Sequence, residues 1–118
     1  MSKNILMIDD DTELCEEMKD ILSDEGYSVH TASDGSQGEE LLEKNSYDIL
    51  LLDIKIPGFN GIDMLRNLSK KKPAIKIFII SGRPFTERIL SEENLMSLVS
   101  GVMIKPFDVR LLLEKIKS

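Results

Sequence analysis

Apolar residues along the chain fall into two kinds of grouping, and the two kinds alternate. Short, mainly apolar runs occur at Asn4 to Ile8, Asp48 to Leu52, Ile75 to Ile80 and Val102 to Ile104, and a more mixed run occupies Tyr27 to Ala32. Runs of this length without strict alternation read as strands covered on both faces, and the mixed one as an edge strand. Between them, apolar residues recur at helical spacing: Leu14, Met18, Ile21 and Leu22; Leu41 and Leu42; Ile62, Leu65 and Leu68; Ile89, Leu90, Leu95 and Leu98; and finally Leu112, Leu113 and Ile116. The pattern predicts five strands and five helices in strict alternation.

Local punctuation agrees with that division. Asp34-Gly35 marks a turn before the second helix, where Ser36 and Glu39 have capping-box spacing. Asn60-Gly61 opens the third helix, Pro84 suits the start of the fourth, and Asp108 suits the cap of the fifth. Alternating strands and helices bury a parallel sheet between two helix layers through right-handed crossovers. The predicted fold is therefore α/β, a doubly wound three-layer sandwich.

Composition narrows the function classes. At 118 residues the chain forms one domain, large enough for a core without disulfides or a structural metal. A net charge of −6 argues against a nucleic-acid surface on this segment and suits basic partners better. Cys15, the one cysteine, lies beside Leu14 and Met18 in a helical pattern and reads as a small core residue. No secretory or membrane-spanning stretch is visible, so the expectation is a cytoplasmic protein without membrane attachment.

Parallel strands have one further consequence. If all five run the same way, Asp9 and Asp10 after the first, Asp53 after the third, Ser81 after the fourth and Lys105 after the fifth share one rim. Ligands of open α/β sheets bind at that rim. A carboxylate at the edge of a core costs several kcal/mol unless something offsets it. A proton, a lysine ammonium or a divalent cation would do so, and hard oxygen ligands suit Mg²⁺ together with a phosphate oxygen. An Asp carboxylate can itself attack phosphorus while a cation neutralises the transferring group.

On these residues the chain resembles a known family. IDDD at 8 to 11, LLLDIKIPGFNG at 50 to 61, IIS at 79 to 81 and IKPF at 104 to 107 are similar to the signature of the receiver domain of two-component response regulators. The resemblance covers essentially the whole chain, 1 to 118, as a single receiver domain. It implies a flavodoxin-like sheet of order 2-1-3-4-5 and a Mg²⁺-dependent (or Mn²⁺-dependent) phosphoacceptor that does not turn over as an enzyme. Asp53 would take the phosphoryl group from a sensor histidine kinase or a histidine phosphotransfer protein. Asp10 and Asp53 would ligate the metal, Asp9 would hold it largely through water, and the backbone carbonyl of Lys55 would complete the protein ligands. Lys105 would pair with Asp53 at rest and with phosphoryl oxygens afterwards, ahead of a cis Lys105-Pro106 bond, while Ser81 would donate to the phosphoryl group. Lys55 and Arg83 would flank it and bear on the access of hydrolytic water. The switched surface would be helix 4, strand 5 and helix 5, where an output domain, an effector or a second copy of the chain would dock.

Two positions depart from the family pattern. Val102 occupies the switch position on strand five where receivers usually carry Tyr or Phe, and SEENLMSLVSGV lacks the Gly-Ala turn usual before that strand. Two other functions compete: a haloacid-dehalogenase-type phosphatase, for which Asp9 and Asp11 supply a DxD, and a degenerate receiver that binds partners without phosphorylation. The phosphatase would form its acyl phosphate on Asp9 and the receiver on Asp53. Glu13 stands where the phosphatase family wants Thr or Val. The initial Met favours an N-terminal position, either as a stand-alone receiver or ahead of an output region.

Several residues have plainer readings. Asp11 serves as a helix cap, His30 carries no assigned role, and Lys70 to Lys72 complement the negative end of a helix. Met18, Met64, Met96 and Met103 read as core or partner-facing filler.

Overall fold

The structure is a computed structural model that describes residues 3–82 and 86–117. Its elements follow in the order β1 (Asn4–Ile8), α1 (Thr12–Asp24), β2 (Ser28–Ala32), α2 (Gly35–Lys44), β3 (Ile49–Asp53), α3 (Gly61–Lys71), β4 (Lys76–Ser81), α4 (Thr86–Glu92), a short 3₁₀ turn (Met96–Leu98), β5 (Gly101–Ile104) and α5 (Val109–Lys117). The five strands form one parallel sheet of order β2-β1-β3-β4-β5, with the mixed strand β2 at an edge as predicted.

Side-chain alternation along the strands divides the interior in two. Leu6, Ile8, Leu50, Leu52, Ile77 and Ile79 point to one face, where they pack with Leu42 of α2, Leu65 and Leu68 of α3, and Leu90 and Leu95. Ile5, Met7, Ile49, Leu51, Phe78 and Ile80 point to the other, against Cys15, Met18 and Leu22 of α1 and Leu112 and Ile116 of α5. Strands covered on both sides need apolar residues at every position, which is why the β3 run shows no alternation. Met18, Met64 and Met103 are core residues, whereas Met96 is exposed.

Helix starts are fixed by side-chain caps. Asp11 accepts from the Leu14 N–H at 3.1 Å, and Asn60 accepts from the Asp63 N–H at 3.1 Å. Asp108 accepts from the Arg110 N–H at 2.9 Å. The second helix begins earlier than the Ser36–Glu39 spacing suggests. Asp34 is its cap, accepting from the Gln37 N–H at 2.7 Å, while Gln37 Oε1 accepts from the Ser33 N–H at 3.1 Å. A carboxylate two residues upstream takes the capping place, and Ser36 falls inside the first turn. Pro84, expected to start α4, lies outside the described residues.

The largest departure concerns α4. The apolar spacing from Ile89 to Leu98 reads as one helix, yet α4 ends at Glu92. Asn94 adopts a left-handed backbone with φ of 58°, the Leu95 N–H reaches back to the Leu90 carbonyl at 2.7 Å, and the Asn94 N–H reaches Ser91 at 3.1 Å. This pair of bonds is a Schellman termination, and Asn is the residue after Gly that best tolerates its left-handed position. Leu90 and Leu95 stay in the same core because the motif brings them together, not because one helix carries both. At the end of α3, Lys70 and Lys71 lie in the last turn, and Lys72 donates to the Leu42 carbonyl.

Candidate functional site at the carboxyl rim

Parallel register brings the strand tips together. Ile8 pairs with Leu52, Asp53 with Ile80, and Ser81 with Ile104, so the residues that follow β1, β3, β4 and β5 emerge along one edge. Asp9 is closed to solvent, Asp53 nearly so, and Asp10 is exposed. Ligand oxygens of all three lie within 4.8 Å of one another.

Each carboxylate is oriented by backbone as well as charge. Asp9 Oδ1 accepts from the Asp11 N–H at 2.9 Å, and Asp53 Oδ1 accepts from the Lys55 N–H at 2.9 Å. The remaining oxygens meet at the Lys105 ammonium, which lies 2.7 Å from Asp9 Oδ2 and 3.3 Å from Asp53 Oδ2. The ammonium is well aligned on Asp53. Asp9 Oδ2, though close to it, is buried without a well-formed hydrogen bond.

Charge balance explains the titration behaviour. Burial pushes the Asp53 carboxyl above the ordinary carboxylate range. The Lys55 N–H opposes this, the Asp9 charge adds to it, and Lys105 opposes it again. Burial pulls the Lys105 ammonium down, but Asp9 and Asp53 together outweigh burial and raise it. Among the described residues, the Lys105 ammonium thus pairs with both Asp9 and Asp53, while Asp10 lies beside them. A buried carboxylate oxygen short of donors, beside an exposed carboxylate and a third aimed at the same point, fits a divalent cation with oxygen ligands.

The other predicted residues are placed as follows. Ser81 is fully buried at the tip of β4, and its carbonyl accepts from the Lys105 N–H at 2.7 Å. The Lys105-Pro106 bond is cis. Val102 pairs with Ile79 and packs on the core that holds Leu90 and Leu95. Arg83 lies outside the described residues. Cys15 is buried as predicted; its Sγ donates to the Asp9 carbonyl at 3.4 Å, and burial together with the Asp9 charge pushes its thiol up to about 11. His30 Nδ1 sits 2.7 Å from the Tyr47 hydroxyl with the rings edge to face, a contact on the β2 edge away from the rim.

Two features were not foreseen. Thr86, the first residue of α4, is buried. The loop between β3 and α3 is also anchored at both ends. The missed signal was PGFNG at 57 to 61, whose turn residues imply a fixed loop geometry.

Comparison with known proteins decides the family. The model for the response regulator receiver domain matches residues 5–117. This chain belongs to that family. Among relatives, the transcriptional regulatory protein CpxR of Escherichia coli K12 is 36% identical over 114 residues, covering 97% of this chain and 47% of CpxR, so the chain spans about half the length of that relative. Among solved structures, a CheY-like receiver domain protein from Methanospirillum hungatei is 33% identical with a TM-score of 0.89, covering 99% of this chain and 92% of its own. The response regulator TrrA of Thermotoga maritima, solved with Mg²⁺ and BeF, is 29% identical with a TM-score of 0.83, covering 98% and 96%. The receiver fold and its 2-1-3-4-5 sheet order are thus the family's own, and the three clustered carboxylates have the oxygen ligands and the spacing that a divalent cation requires. Nothing favours the phosphatase, whose nucleophile would be the solvent-closed Asp9. Among the described residues, no helix is long and apolar enough to cross a membrane.

Proposed function

We propose that Asp53 is the phosphoacceptor of this receiver domain and that Mg²⁺, or Mn²⁺, is its cofactor. Asp10 and Asp53 would ligate the cation, Asp9 would hold it largely through water, and the Lys55 carbonyl would complete the protein ligands. The bound cation would offset charge on the phosphoryl oxygens. The observation that carries the reading is the convergence of Asp9, Asp10 and Asp53 with Lys105 at one strand edge.

The chain's own groups suit the chemistry. The Lys55 N–H on Oδ1 fixes the rotation of the Asp53 carboxylate and leaves Oδ2 towards Lys105. A carboxylate oxygen forms a bond to phosphorus as the bond from phosphorus to a histidine nitrogen of the donor breaks, and the freed imidazole takes up a proton. The donor is a histidine kinase or a histidine phosphotransfer protein. Lys105 moves its charge to the phosphoryl oxygens, and the Ser81 hydroxyl donates to them. The new charge biases α4 and β5, so the surface of α4, β5 and α5 is the output face for an output domain, an effector or a second copy. Leu111 of α5 and Ile104 of β5 are large apolar residues left exposed there. Residues 1–118 act as a single domain that is a substrate and switch rather than a turnover enzyme. It works in the cytoplasm, where such donors are found, without contacting nucleic acid itself. Val102 leaves that switch without an aromatic gate, so the coupling runs through the α4 backbone and Ser81.

The test is an NMR titration with Mg²⁺ and beryllofluoride, a phosphoryl mimic. Wild-type protein is expected to show shifts at Ser81 and Lys105, and Asp53→Asn to fold normally and show none. A wild-type-like response in that variant would overturn the assignment.

A further inference from the structure

The loop that carries Lys55 is held at its far end by a contact with a different helix. Pro57 and Gly58 occupy the centre of a tight turn, with Gly58 at φ of 72° and the Phe59 N–H reaching the Ile56 carbonyl at 3.2 Å. That is the geometry of a type II turn, in which only the third residue needs a positive φ. The turn delivers Phe59 against Gly35, the first residue of α2. A Cβ added at Gly35 would fall 1.9 Å from Phe59 Cδ1 and 2.3 Å from Cγ, so the ring occupies the space a side chain there would need. At the other end, a Cβ on Gly61 would lie 2.7 Å from Ile54 Cα, so the helix start sits directly on the backbone next to Asp53. Between the anchored Ile54 and Phe59 stand only residues 55 to 58, with Lys55 among them.

We propose that Gly35 is a socket for Phe59 and that this pair positions the β3–α3 loop, and through it Lys55, for the cation and phosphoryl group at Asp53. Both act through the loop rather than on the ligand, and so are positioning residues. The inference rests on the proposed role of Asp53. Its physical content is that the Lys55 backbone serves the site twice: its N–H already holds Asp53 Oδ1, and its carbonyl would face the cation. A ring that leaves its socket frees the loop on the side where no strand restrains it. A ligand that needs the loop fixed then binds more weakly, because it must order the loop itself. The N-terminus of α2, remote from the chemistry, would thereby set the affinity of the site.

A double-mutant cycle with Gly35→Ala, Phe59→Ala and both together tests this, read as Mg²⁺ affinity from amide shifts and, in parallel, as thermal unfolding without metal. Each single change is expected to weaken Mg²⁺ binding at least about threefold, the low end of couplings between residues in contact. The double variant should be no weaker than Phe59→Ala, because the new methyl finds the ring gone. Each loss should be accompanied by a shift of the Lys55 amide. If Gly35→Ala does not fold, Phe59→Ala and the conservative Phe59→Leu, expected to recover part of the affinity, carry the same test. Wild-type Mg²⁺ affinity in Phe59→Ala would overturn the proposal, as would equal, additive losses from the two sites. Absence of saturable Mg²⁺ binding by the wild-type protein would overturn it together with the Asp53 reading, so the two failures are distinguishable.

Discussion

Leu52 and Asp53 are consecutive on β3 and both are nearly closed to solvent, yet they stand in opposite relations to the fold. Leu52 belongs to the same buried apolar cluster as Ile8, Ile79 and Leu65. Asp53 meets a backbone N–H, a lysine and a second carboxylate. The sheet interior gains free energy from burial, at about 25 cal/mol per Å² of apolar surface. The rim gives some of it back by clustering Asp9, Asp10 and Asp53, two of them on the Lys105 ammonium. That difference is how a stable scaffold keeps a reactive edge: the interior can carry the cost because it has no other task.

The contrast is broken most severely from the interior. Leu51→Ala removes a fully buried side chain from the layer shared with α1 and α5, where rigid strands cannot collapse into the gap. The expected loss is about 4 kcal/mol, towards the upper part of the range for such truncations. Urea unfolding measures it, and the change should be the same with and without Mg²⁺. A loss below about 1 kcal/mol would show that the interior is looser than its burial implies.

Lys105→Met is the corresponding change at the rim. The ammonium is the only cation within ion-pair distance of Asp9 and Asp53 among the described residues, so its loss leaves two buried acids facing each other. The expected cost without metal is about 3 kcal/mol, as for breaking a buried pair from one side. Unlike the interior variant, this one should regain stability in Mg²⁺, because a cation can stand in for the lysine. Equal losses with and without metal would erase the distinction between the two regions.

These two regions also differ in how far the residues announced them. The interior was legible because runs such as Ile49 to Leu52 have a single physical meaning once flanked by helical periodicity. The rim was legible one step later, since parallel strands place their ends together, and Asp9, Asp53 and Lys105 do meet there. Helix α4 was not, because Ile89, Leu90, Leu95 and Leu98 satisfy a helical spacing that a Schellman turn satisfies equally well. Its signal was Asn94, a residue whose left-handed preference is weaker than glycine's and so is easily read as ordinary. The Phe59 and Gly35 contact was invisible for a different reason: two positions 24 apart in sequence carry no shared pattern, and only the fold makes them neighbours.

The smallest and most informative change is Asp53→Asn, because its sign is opposite to the others. The Asp53 carboxyl titrates above its unfolded value of 3.8, chiefly through burial and against the pull of the Lys55 N–H. An acid raised in the folded state holds its proton more tightly there than in the unfolded chain. Folding is therefore favoured as pH falls into the window between the unfolded and the raised folded value, and disfavoured as pH rises through it. Asn cannot ionise, keeps nearly the same shape, and leaves Lys105 paired with Asp9 at 2.7 Å. At neutral pH the variant is expected to be more stable than wild type by roughly 1 kcal/mol, at the low end of what relief of unfavourable buried charge yields. The gap should close as the medium is acidified through the window, since wild-type Asp53 then becomes neutral as well. Paired urea titrations of the two proteins across that range measure how the gap changes with pH. A variant less stable than wild type at neutral pH would mean that Lys105 and the Lys55 N–H fully compensate the charge, and that the rim costs the fold nothing.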